Sequence, residues 1–270
     1  MKRITDNKEL REIQMGILSY VDKFCRENDI KYSICGGTLI GAIRHGGYIP
    51  WDDDIDIIML RKDYERFLNL FNKSKDSDYN LYCINKSPYY YHPYAKVSDS
   101  RTIQVEPDIK EEAGIGVNID VFPVDYAPDE KQEQHKLIRK IKRYNNLFVI
   151  TGLKWRKNRS CVKNIIMFVS QLFLLPFSRL YFSRRIEKLA INAVKGTSNT
   201  RGCLVWGYGE KELMPASYFD SYMDVKFENM KVMTIVEYDK YLRNIYGDYM
   251  TLPPVEKRIT HHDFEAYIKE

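Results

Sequence analysis

Between Gly36 and Ile57 the chain reads GGTLIGAIRHGGYIPWDDDIDI, a Gly-Gly pair, the cationic side chains Arg44 and His45, and four carboxylates in twenty-two residues. Asp54 and Asp56 flank Ile55, and apolar residues follow. On a β-strand successive side chains alternate faces, so these two carboxylates point the same way. Side by side they repel each other unless a cation lies between them, and oxygen donors at this spacing suit Mg²⁺ or Mn²⁺. Upstream, Tyr32 to Cys35 reads as a buried strand. Gly36 and Gly37 then let backbone amides approach a phosphate, and Thr38 opens a short helix, to about Arg44, whose N-terminus favours anions. A phosphate cradle followed by a metal-binding strand is the apparatus of phosphoryl or nucleotidyl transfer.

Other readings of the same residues are weaker. Asp52, Asp54 and Asp56 follow the opening of an EF-hand calcium loop, but Ile57 stands where that loop needs Gly and Asp63 where it needs Glu. A solvated acidic turn does not fit Ile55, Ile57 and Ile58, which make a buried strand start. Asp120 alternates with Ile119 and Val121, so it faces either solvent or a site. Arg44 and His45 end the short helix, where they either complement its dipole or hold phosphate oxygens. Lys96 is a second phosphate candidate, against an exposed strand lysine. Tyr48, Trp51 and the run Tyr89 to Tyr94 offer electron-rich faces of the kind that recognise quaternary ammonium groups, or they pack strand edges.

These residues resemble the signature of the LicD family and, more distantly, fukutin-related proteins and the nucleotidyltransferase superfamily. That pattern is a strand, Gly-Gly, a helix, Asp-x-Asp on a second strand and a third carboxylate on a later one. Here it falls on Gly36-Gly37, Asp54-Ile55-Asp56 and Asp120 in NIDVFPVD. The C-terminal FENMKVMTIVEYDKYLRNIYGDYMTLPP resembles the family's closing segment, and His261 in RITHHDF its C-terminal histidine. The resemblance covers roughly residues 6–126 and 224–262, and residues 130–200 carry no motif that aligns. It implies a metal-dependent phosphotransferase that moves phosphocholine from CDP-choline to a hydroxyl of a bacterial surface glycan precursor. The acceptor would be a teichoic acid or lipopolysaccharide unit, free or carried on a membrane lipid. Asp54, Asp56 and Asp120 would hold the Mg²⁺ or Mn²⁺, with Asp120 also taking the acceptor's proton. Gly36, Gly37, Thr38, Arg44, His45 and Lys96 would position phosphates, His261 would meet substrate, and Tyr48, Trp51 or a member of the Tyr89 to Tyr94 run would meet choline. Two alternatives stand beside it: the same fold with a CDP-alditol or nucleoside triphosphate donor, or a non-catalytic protein that binds membrane or nucleic acid through a basic segment. Nothing like an RNA-binding aromatic platform supports nucleic acid.

The elements that must position these groups read as a mixed α/β (α+β) fold, a nucleotidyltransferase-like small mixed sheet with flanking helices and a basic helical insert. An apolar stripe at Leu10, Ile13, Ile17, Val21 and Phe24 predicts a first helix from Asp6 to Glu27 as core packing. Strands are expected at Asp54–Leu60, Leu81–Ile84, Tyr94–Asp99, Val117–Phe122 and Asp224–Glu228. Helices are expected at Asp63–Phe71, from Asp129 to about Ile150, and at Glu237–Tyr246 with Gly247 as its cap. The expected organisation is a catalytic core over 1–128, the insert over 129–201 and a C-terminal segment over 202–270 that packs back on the core. The net charge of +5 is divided unevenly: residues 131–201 carry +15 and the rest −10. A basic block of this kind suits nucleic acid or an anionic membrane face. Within it, the apolar stretch Ile165 to Phe177 is too short to span a bilayer, which needs roughly 20 residues. It reads either as an interfacial helix or as an amphipathic cover for the core. Five cysteines without a C-x-x-C pair, and an N-terminus without an apolar leader, place the expected protein in the cytoplasm; the interfacial reading of the apolar stretch would add peripheral contact with the inner face of the membrane.

Overall fold

The computed structural model describes residues 1–71, 78–107, 109–110, 114–156, 159–260 and 264–269. Strand β1 (Lys2–Ile4) leads into helix α1 (Asn7–Glu27), whose start is fixed by Asp6: its carboxylate accepts the Lys8 amide at 2.9 Å. Then come β2 (Ser33–Ile34), α2 (Gly36–His45), β3 (Asp56–Leu60) and α3 (Arg61–Phe71). Strands β4 (Tyr79–Tyr82), β5 (Ala95–Asp99), β6 (Thr102–Val105) and β7 (Asn118–Ala127) complete the first half. Helices α4 (Lys131–Gly152), α5 (Cys161–Leu174) and α6 (Arg179–Ile191) follow. The chain returns through β8 (Thr200–Gly202), β9 (Met214–Pro215), the hairpin β10 (Tyr222–Phe227) and β11 (Met230–Ile235), α7 (Tyr238–Tyr246) and β12 (Glu265–Ile268).

The main sheet runs β2-β3-β7-β5-β4, with β8 and β9 added along the far part of β7. β3 and β7 pair in parallel, and the other contacts are antiparallel. Alternation along β3 and β7 divides the side chains as the sequence requires. Ile55, Ile57, Ile119 and Val121 are wholly buried in the core, while the intervening aspartates face a cavity. α1 and α3 pack together against the core, Phe24 meeting Phe67 at 5.9 Å and Phe71 at 5.1 Å. A smaller sheet, β1-β12-β6, joins the two ends of the chain. The mixed α/β class expected from the sequence is the one observed.

Several boundaries differ from expectation. β3 begins at Asp56, so Asp54 lies on the extended approach to the strand. α2 takes in both glycines and does not wait for Thr38, with Cys35 at its N-cap. β7 runs on to Ala127 because its second half pairs with β8. The short strands β1, β6, β8, β9, β11 and β12 and the helix α6 carried no local signal strong enough to read. Among the described residues no single helix is long and apolar enough to cross a membrane; α5 and α6 meet at a bend of 77°.

Candidate active site

Three strands bring a row of charge onto one sheet face. Asp56 of β3 pairs in register with Asp120 of β7, and Asp120 pairs in register with Lys96 of β5. The Asp120 amide also donates to the Ile55 carbonyl at 3.0 Å, extending the ladder towards Asp54. Lys96 Nζ donates to Asp120 Oδ1 at 2.6 Å and to Asn118 Oδ1 at 3.0 Å. The Asp56 carboxyl titrates well above the ordinary carboxylate range, first because it is buried, then because Asp54, Asp120 and Asp52 repel its charge; Lys96 acts the other way.

The glycines explain how four acids fit here. A side chain at Gly37 would collide with Asp52 Oδ2, and one at Gly36 would come within 3.4 Å of Asp56 Oδ2. Gly36 also adopts φ +56°, which favours glycine. Thr38 is buried, and its hydroxyl accepts the Asp56 amide at 2.9 Å. It therefore positions Asp56, and the accepting hydroxyl keeps its own O–H as a donor.

Two cavities meet at the carboxylates. One, about 410 Å³, is lined by Asp54, Asp56, Asp120, Lys96 and a ring cluster that includes His92, Tyr94 and Trp206. Tyr94 lies 5.0 Å from His92, 4.5 Å from Phe122 and 5.7 Å from Trp206. The other, about 520 Å³, is lined by Gly36, Gly37, Trp51, Asp52, Tyr246 and the buried Glu212. Asp54, Asp56, Phe122 and Trp206 belong to both and form the wall between them. Burial raises the Glu212 carboxyl to about 7.

The carboxylates suit a hard divalent cation by donor type, and the clustering of negative charge around half-buried Asp56 is relieved by one. Among the described residues, Asp52, Asp53 and Asp54 bring three carboxylate oxygens within 4.8 Å of one another. The tightest acidic group is thus centred one step earlier in the chain than the Asp54, Asp56, Asp120 set, and Asp120 is already held by Lys96.

Other expected site residues are placed elsewhere. Arg44 and His45 end α2, roughly 12 Å along the helix from the glycines. Arg44 donates to the Tyr249 carbonyl at 2.6 Å, and His45 packs edge-on to Trp51 at 6.4 Å. Neither lines the two cavities; both are corrected to structural contacts with the C-terminal segment and the acidic loop. Tyr48 is buried against Phe227 at 5.1 Å and donates to Gln14 Oε1 at 3.0 Å. It is a support, because Gln14 Nε2 in turn donates to the Asp53 carbonyl at 2.7 Å. Trp51 and Lys96 do line cavities, and His261 lies outside the described residues.

Sequence reasoning missed the scaffold beneath the acidic loop. Arg11 Nη2 donates to the carbonyls of Ile49, Pro50 and Asp52 at 3.1, 3.0 and 2.7 Å. Arg11 and Gln14 sit on the first helix among core residues, so only their polarity on that face marked them. Glu212 and Trp206 were also missed; neither stands in a motif.

The family described as LicD/FKTN/FKRP, nucleotidyltransferase domain, matches residues 29–185. That match enters the basic segment, whose residues carry no motif of the family. Over 99% of its length the chain is 32% identical to all of the lipopolysaccharide cholinephosphotransferase LicD of Haemophilus influenzae. An uncharacterized protein of Rickettsia typhi is 37% identical over 79 residues, 29% of this chain and 25% of that protein. With a family match over more than half the chain and an end-to-end relative, this chain belongs to the LicD family.

Proposed function

We propose that the protein is a metal-dependent phosphotransferase that moves phosphocholine from CDP-choline to a hydroxyl of a bacterial surface glycan of the lipopolysaccharide type. The observation that carries the reading is the shared wall of Asp54 and Asp56 between two cavities, with Asp120 and Lys96 beside it on one side and Gly36-Gly37 on the other. The end-to-end likeness to a cholinephosphotransferase supports the choice of group transferred.

In this reading the nucleotide end of the donor lies against Gly36 and Gly37, where the N-terminus of α2 favours phosphate. Asp54 and Asp56, with Asp52 behind them, would hold Mg²⁺ or Mn²⁺, which supplies neutralisation of diphosphate charge when bound. The choline end crosses the wall to the rings of Tyr94, His92 and Trp206, since a trimethylammonium group donates no hydrogen bond and is recognised by aromatic faces. Asp120 accepts the proton of the attacking hydroxyl, and Lys96 orients Asp120 and faces the transferring phosphoryl oxygens. Arg11 and Gln14 keep the acidic loop in place. The reaction is assigned to the cytoplasmic side of the membrane.

Incubating the purified protein with Mg²⁺ and CDP-choline, CDP-ethanolamine, a CDP-alditol or CTP, and measuring CMP release, tests the donor. Release that is fastest with CDP-choline supports the reading. Release only from a CDP-alditol, or none from any CDP compound with a glycan acceptor present, overturns it.

A further inference from the structure

Helix α5 is built with its polarity reversed. Its inward positions are Asn164, Met167, Gln171 and Leu174, spaced as one helix face. Two of these are amides, and both are tied down. Asn164 Nδ2 donates to the Arg156 carbonyl at 2.6 Å, and Gln171 Nε2 donates to the carbonyls of Ile150 and Leu153 at 2.7 and 2.9 Å. The outward positions carry Val162, Ile165, Ile166, Phe168, Val169 and Phe173, exposed by 42% to 79%. Leu175, in the turn that follows, is 75% exposed. A helix that covers a core turns its apolar side inward. The cover reading of this stretch is therefore corrected: the polar edge is anchored and the apolar face is presented outward.

The charge around that face identifies what it meets. Lys163 on α5 itself and Arg184, Arg185 and Lys188 on α6, the next helix after a bend of 77°, are exposed, and no acidic residue occurs between Lys154 and Arg185. A second copy docked face to face would set one basic rim against another, which opposes association. An anionic bilayer supplies both halves of the match, headgroup phosphates for the basic rim and acyl chains for the apolar face.

We propose that α5 lies in the interface of an anionic lipid bilayer, its Val162, Ile166, Val169 and Phe173 stripe towards the acyl region. The surface also leads to the active site. A cleft beside α5 is lined by Phe168, Leu172, Leu175 and Arg179, and Arg179 lines the Lys96 cavity as well. Docking on α5 thereby sets the mouth of that cavity at the membrane, where a lipid-carried acceptor arrives from the plane of the bilayer. The docking itself stands on the exposed residues of α5 and α6, independently of which group is transferred.

Flotation of the full chain with vesicles of phosphatidylcholine alone, or mixed with phosphatidylglycerol, tests it. The wild-type protein should float with the mixed vesicles, and high salt should weaken binding roughly tenfold or more. Ile166→Ser combined with Phe173→Ser should abolish flotation, and Arg184→Glu with Arg185→Glu should weaken it, both at unchanged melting temperature. CMP release from CDP-choline with a soluble acceptor should persist in the serine pair, which separates a failure of docking from a failure of catalysis. Wild-type protein left in solution, equal binding to neutral and mixed vesicles, or undiminished flotation of the serine pair overturns the proposal. So does a stable dimer in sedimentation that the serine pair dissociates, since the face would then belong to a second copy.

Discussion

Lys96 and Asp120 stand opposite each other across the β5–β7 pair, joined by an ion pair of 2.6 Å in which both side chains are less than one-fifth exposed. The third carboxylate of the site thus has a built-in cation. Its charge is balanced from the β5 side, while Asp56 is its register neighbour on the β3 side.

Lys96→Gln should cost about 2 kcal/mol of stability, because it strands a partly buried carboxylate. It should also lower turnover about 100-fold or more. Adding Asp120→Asn should return most of the stability and none of the activity. Thermal melting and CMP release, measured on the single and double variants, check this; full activity in the double variant would remove both residues from the chemistry.

Asp56→Asn should abolish turnover while leaving the melting temperature unchanged or higher, since burial and its acidic neighbours already disfavour the charged carboxylate. Mg²⁺ or Mn²⁺ should raise the melting temperature of the wild-type protein and not that of the variant. A variant with an undiminished response to the cation would show that Asp56 is no ligand.

Thr38→Val keeps the shape of the buried side chain and deletes the acceptor of the Asp56 amide. The expected loss is about 1–3 kcal/mol of stability, together with weaker cation binding. Thr38→Ser should restore both. Calorimetric titration of the cation against all three proteins distinguishes this positioning role from simple packing.

Glu212 carries a pH dependence. Its carboxyl moves from 4.5 to about 7 on burial, so the folded chain holds a proton that the unfolded chain has lost. Stability from this group is full below pH 4.5 and falls as pH rises to about 7, in total by about 3 kcal/mol. Glu212→Gln should flatten that slope in denaturant titrations across the same range. An unchanged slope would place the titration elsewhere.

Trp206→Leu removes one ring face beside Tyr94 and keeps an apolar surface. It should weaken CDP-choline by about 0.5–2 kcal/mol and leave CMP nearly unaffected. Equal losses for both ligands would move the choline site away from this ring cluster.

What was legible in the sequence was local. Alternation around Ile55 and Ile119 is a two-residue signal; it put Asp54 and Asp56 on one side and left Asp120 facing solvent or a site, the family resemblance favoured the site, and all three line one cavity. The Gly-Gly pair was read as a phosphate cradle, and the missing side chains also make room for Asp52 and Asp56. Arg44, His45 and Tyr48 were misjudged because nearness in sequence was taken for nearness in space. A ten-residue helix carries Arg44 and His45 away from the glycines, and Tyr48 turns into the core. Arg11, Gln14, Trp206 and Glu212 act across long separations, and no spacing rule connects them to the acidic loop.

The parallel pairing of β3 with β7 also bears on how the molecule assembles. Asp56 and Asp120 become neighbours only when two strands separated by β4, β5, β6 and α3 have met. Such non-local parallel contacts form slowly, because a long loop must close before any contact rewards it. Helices α1 and α4 rest on local bonds and need no such closure. In a refolding experiment the helical signal should therefore return first and the response to divalent cations last, which makes the cation response a clock for completion of the sheet.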